Sequence, residues 1–91
     1  MELEQLRIFV AVAETGSFTK GAKKLYISHS STSRAVSALE EEFGLRLIER
    51  SNHVTCLTPA GEVLFKEARE LLASAEAVKN RVLSEIADDE R

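Results

Sequence analysis

The chain is predicted to be mainly α: a winged helix-turn-helix of three helices and a small β-hairpin wing, followed by a long dimerisation helix. Three observations carry this. Amphipathic stretches fill residues 3–43, and the second and third are separated by a turn of only three or four residues. Two short β-prone runs follow, around "RSNH". The remainder carries an apolar row with spacings of four and three, sustained over more than two heptads.

Each element has its own chemistry. Leu6, Phe9, Val10 and Ala13 recur at helical spacing from Leu3 to Thr15, and Gly16 ends that helix. Ser17 is a natural N-cap for the second, whose apolar stripe is Phe18, Ala22 and Leu25. Gly21 inside it costs about 1 kcal/mol of helix propensity. Tyr26 and Ile27 make the turn, and Ser28 caps the third helix. Thr32, Val36, Leu39 and Phe43 form its expected core face, and Gly44 stops it. "LRLIERSNHVTCLT" reads as the hairpin, with the wing at about 46–57 and Cys56 half-buried on it. Thr58 and Pro59 open the last helix as N-cap and N1. Leu64, Ala68, Leu71, Ala75, Val78 and Val82 form its seam, with Phe65, Leu72 and Leu83 in a second row. A domain of under sixty residues cannot cover so long a helix, so these residues are expected to pair with a second chain.

Composition narrows the class. The 91 residues are 44% hydrophobic and 30% charged, ordinary values for one small globular domain. There is no apolar run of about 18 residues, no signal-peptide pattern and one cysteine, so a cytoplasmic protein without membrane contact is expected. The net charge of -3 argues against a polyanion partner, but its distribution does not. No acid lies between Glu14 and Glu40, where Lys20, Lys23, Lys24 and Arg34 fall, and a second acid-free stretch runs from Arg50 to Gly61. Such stretches suit phosphate-facing patches, and equally chance clustering on a solvated face.

The third helix decides between them. Ser30, Ser33, Arg34 and Ser37 fall at i, i+3, i+4 and i+7, opposite the expected core face, with His29 beside them. Short hydroxyl side chains permit close approach to the major groove and both donate and accept there. Arg34 can bind guanine O6 and N7 or grip a phosphate. Ser28 is better explained as a cap. Glu40 to Glu42 would repel DNA, but only the first half of the helix need touch it.

These residues resemble the DNA-binding region of a LysR-type transcriptional regulator. The resemblance lies in "LRIFVAVAETGSFTKGAKKLYIS", "SRAVSALEEEFGLRLIER" and "LTPAGEVLF", which follow one another in the right order and spacing. It implies a DNA-binding domain over residues 1–58, with the helix-turn-helix at about 18–37, and a linker and dimerisation helix over 59–91. It implies a bacterial, nucleoid-associated regulator that binds an interrupted palindrome as a homodimer, with tetramers in longer forms. The family's large co-inducer domain has no counterpart here, so an isolated DNA-binding region without a small-molecule effector site is expected. The candidate DNA-binding residues are His29, Ser30, Ser31, Ser33, Arg34 and Ser37, with Lys20 and Lys24 on the second helix and Arg50, Asn52 and His53 in the wing.

The chain also departs from the family. His29 and Ser30 stand where Gln-Pro is usual. This predicts an altered base preference, and binding that strengthens as the imidazole takes up a proton. Thr32 replaces an aliphatic residue and should bond back to the preceding turn. Ser37 and His53 replace longer or more basic residues, which predicts modest, salt-sensitive affinity. His29, His53 and Cys56 lack metal-ligand spacing, and no serine has a paired base, so no metal, cofactor or enzyme activity is expected. The rival reading is a winged-helix protein-interaction module with a coiled-coil dimerisation helix. Such a face should carry aromatic or aliphatic anchors, which the outer face of helix three lacks.

Overall fold

The computed structural model describes residues 1–51 and 54–89. Its elements run α1 (Leu3–Thr15), α2 (Phe18–Leu25), α3 (His29–Phe43), β1 (Ile48–Ser51), β2 (Val54–Leu57) and α4 (Pro59–Asp89). This is the expected mainly α winged helix-turn-helix with a long terminal helix.

The helix ends follow from local chemistry. Gly16 and Gly44 close α1 and α3 in the left-handed region, at φ 69° and 66°. Ser17 caps α2 by accepting from the Lys20 N–H at 3.1 Å. Ser28 caps α3 by accepting from the Ser31 N–H at 3.0 Å. Tyr26 ends α2 with φ 58°, a conformation that glycine usually supplies.

The core centres on α1, which meets α2, α3, α4 and β2. Its buried surface is therefore wider than one stripe. Ile8, Ala11 and Val12 are buried along with Leu6, Phe9 and Val10, while Ala13 is only half-buried. The α1–α2 contact explains Gly21: a Cβ there would lie 3.0 Å from the Val12 Cα. From α3, Thr32, Val36 and Leu39 enter the core. The Thr32 hydroxyl donates to the Ser28 carbonyl at 2.9 Å, the back-bond expected of it. Phe43 departs from expectation. It is 43% exposed, because the last turn of α3 overruns the edge of the core.

The wing is a two-stranded antiparallel hairpin that pairs Ile48 with Leu57 and Ser51 with Val54. Arg50 and Ser51 thus belong to β1 rather than to a turn. Cys56 is exposed, not half-buried. It stands opposite Glu49, one register step from the Ile48–Leu57 pair that packs on the core, and so on the other face of the hairpin.

Residues 46–48 join the elements. Glu40 Oε2 accepts from the Leu47 and Ile48 N–H groups at 2.9 and 3.3 Å. The Thr58 hydroxyl donates to the Arg46 carbonyl and accepts from the Gly61 N–H at 3.0 Å. The Thr58 N–H donates to the Leu47 carbonyl at 3.1 Å. A Cβ on Gly61 would lie 1.9 Å from that same carbonyl, so only glycine lets α4 start there.

The seam expected for a second chain divides along α4. Ala68 is buried in this chain's own core, and Leu64, Phe65 and Leu72 pack partly against it. Ala68 is therefore withdrawn from the surface a partner could touch: the first turns of α4 lie on α1, and a small residue allows that approach. Further along, Leu71, Val78, Val82, Leu83 and Ile86 are exposed and Ala75 is half-buried. Among the described residues, no helix is long and apolar enough to cross a membrane.

Candidate nucleic-acid interface

The outer face of α3 is built by default: once Thr32, Val36 and Leu39 are buried, helical geometry turns Ser30, Arg34 and Ser37 outward. All three are exposed and Ser33 is half-buried at their margin. No acidic side chain precedes Glu40 on this helix.

Ser31 stands apart from this set. It is half-buried, and its hydroxyl accepts from the Ser28 hydroxyl at 2.9 Å, so it completes the cap rather than lining the face. Lys20 is exposed on α2. Lys24 is exposed too, but its ammonium lies 3.2 Å from Glu14, which offsets part of its charge.

From the wing, Arg50 lines a cleft together with Ser37 of this face. Its guanidinium carbon lies 3.7 Å from the centroid of the buried Phe18 ring. The His29 ring is tilted against the same ring at 6.1 Å between centroids. Phe18 thus brings the wing and the start of α3 together, a role that its place in an apolar stripe did not reveal. A polar cleft between α3 and β1 is lined by Phe18, Ser37, Glu40, Arg46 and Arg50 among others. Asn52 and His53 lie outside the described residues.

Glu40 is the second residue whose role was missed. It reads as a repulsive charge in the sequence, yet it is half-buried and holds the start of the wing through two backbone N–H groups. Its i+7 and i+8 partners follow a loop, so no periodicity announces them. Glu42 is likewise engaged, by the Met1 ammonium at 2.7 Å.

The arrangement offers a rigid, small-residue helix face with one guanidinium, flanked by a second guanidinium from the wing. It can approach a groove closely, present hydroxyl donors and acceptors, and neutralise phosphates. Among the described residues, no group of three His, Cys, Asp or Glu side chains could hold a metal ion.

Comparison with known proteins bears on the family and the fold. Residues 3–62 match the family model described as bacterial regulatory helix-turn-helix protein, lysR family. The chain is 42% identical over 81 residues to the HTH-type transcriptional regulator TfdT of Cupriavidus pinatubonensis, covering 89% of this chain and 36% of that protein. It is 45% identical over 76 residues to BenM of Acinetobacter baylyi, covering 84% and 25%. Among solved structures, the BenM DNA-binding domain bound to catB site 1 DNA superposes with a TM-score of 0.89 at 40% identity, covering 92% of this chain and 93% of that one. The CbnR DNA-binding domain–DNA complex gives 0.87 at 38%, covering 92% and 97%. The chain therefore spans only a quarter to about a third of these curated relatives.

Proposed function

Because the chain belongs to the LysR family of bacterial regulatory helix-turn-helix proteins, we propose that it is the DNA-binding part of a sequence-specific transcription regulator. In this reading α3 enters the major groove, with Ser30, Ser33, Arg34 and Ser37 toward the base edges and His29 beside them. The wing reaches the flanking backbone through Arg50. Lys20 adds a phosphate contact from α2, and Lys24 a weaker one in competition with Glu14. The observation that carries the reading is a face of short hydroxyls and one arginine on a helix whose opposite face is buried. The BenM and CbnR DNA-binding domains, which share this fold, have been solved on DNA.

The binding unit in this reading is a homodimer formed through α4, placing two α3 helices on an interrupted palindrome. Support comes from Leu71, Val78, Val82, Leu83 and Ile86, which the chain leaves exposed along α4. Ala75 lies among them; Leu64 and Leu72 contribute at most their uncovered edges, and Ala68 contributes nothing.

Footprinting on the promoter next to its own gene tests the reading. Sequence-specific protection by the wild type, lost in Arg34→Ala, is expected. Absence of protection even at low salt would overturn it.

A further inference from the structure

We propose that Phe18 is a positioning residue that holds Arg50 as a clamp for a DNA backbone phosphate beside the recognition helix, rather than at the tip of the wing. The proposal deepens the DNA-binding reading and rests on it. Three observations support it. The guanidinium of Arg50 stacks at 3.7 Å on a ring that is itself only 6% exposed, so its platform cannot turn away. Arg50 nonetheless remains an exposed residue. It lines the polar cleft between α3 and β1, to which Ser37 and Arg46 also belong. Glu40 also lines this cleft, and its Oε2 already accepts two backbone N–H groups.

The physical gain is preorganisation. A free arginine loses several rotatable bonds of freedom when it grips a phosphate, whereas one already stacked on an aromatic ring loses less. The matching ligand is a phosphodiester oxyanion, bound without regard to base sequence. Phe18 would not touch the DNA; it would act through Arg50.

The test needs no operator, since phosphate binding is independent of sequence. Binding of the chain to a short mixed-sequence duplex is measured by fluorescence anisotropy over a range of NaCl concentrations. Arg50→Ala is expected to flatten the slope of log affinity against log salt by about one unit. Phe18→Leu is expected to weaken binding about two- to fivefold, and to have no further effect in the Arg50→Ala background. Arg50→Lys keeps the charge on an exposed side chain and so tests the stack even if Phe18→Leu fails to fold. It should retain the salt slope while losing a similar factor. Multiplying, independent effects of Phe18→Leu and Arg50→Ala would overturn the positioning role, as would wild-type binding by Arg50→Ala.

A second readout does not involve DNA. In the free protein the Arg50 side-chain protons should be shifted upfield by the Phe18 ring current, and Phe18→Leu should abolish the shift. Absence of that shift in the wild type would overturn the stack whatever the chain binds. A clear ring-current shift with no duplex binding at any salt would instead remove the DNA reading, and the phosphate clamp with it.

Discussion

Single residues show how much of this surface is settled by spacing and how much by neighbours. Arg34 is exposed on the outer face of α3, and Arg34→Ala should cost about 1–3 kcal/mol in operator binding or relax specificity at one base position, read by competition among operator variants. His29 lies beside that face and against Phe18. His29→Gln should change the preferred base at its contact. Binding-site selection checks this, and an unchanged preference would reject a direct role. Gly61 shows the opposite case, where no pattern announces the constraint. With the Leu47 carbonyl 1.9 Å from where its Cβ would be, Gly61→Ala should cost about 3 kcal/mol, the upper end of overpacking penalties. Thermal unfolding measures it. The Met1 ammonium titrates above its ordinary value chiefly because Glu42 accepts its hydrogen bond. That contribution to stability is complete below the ordinary α-amino value and fades as the pH rises through the raised one, and the solvent-exposed setting of the pair keeps it small.

At the scale of elements, local signals and tertiary ties divide the work. All four helices and the hairpin were legible, because caps, glycine stops and the 3.6-residue period are local properties. The back-bond of Thr32 was legible for the same reason, since its partner is four residues away. The ties between elements were not. Glu40 reaches from α3 to Leu47 and Ile48, Thr58 fastens the start of α4 to Arg46 and Leu47, and Gly61 permits the close approach to Leu47. Glu40→Ala should therefore cost about 1–3 kcal/mol, because it strips an acceptor from two partly buried N–H groups. It should also raise hydrogen exchange at the Leu47 and Ile48 amides. Glu40→Gln, which keeps a carbonyl oxygen in place, should recover most of the loss. If both variants exchange like the wild type, the tie carries no load.

For the whole molecule, the question is what covers α4. The helix is 31 residues long and the longest extent of the molecule is 58 Å, so most of it projects beyond the core. Val78 and Val82 are both 56% exposed, whereas Leu72 packs against the core. Replacing both with glutamine should shift the sedimenting species from dimer to monomer without lowering helix content. Operator affinity should fall about 10²-fold or more, since bivalent engagement is lost. An unchanged dimer would place the contact elsewhere. The sequence by itself determined the element order, the caps, the core face of α3 from Thr32 to Leu39, and hence the outward face that carries Ser30, Arg34 and Ser37. Each of these follows from spacing along one chain segment. Only the tertiary structure decided that Phe43 is left partly exposed, that Cys56 faces outward, that Ala68 belongs to the chain's own core, and that Arg50 rests on Phe18. Those outcomes depend on which surfaces meet across dozens of residues, and the polarity of a side chain does not record what lies opposite it.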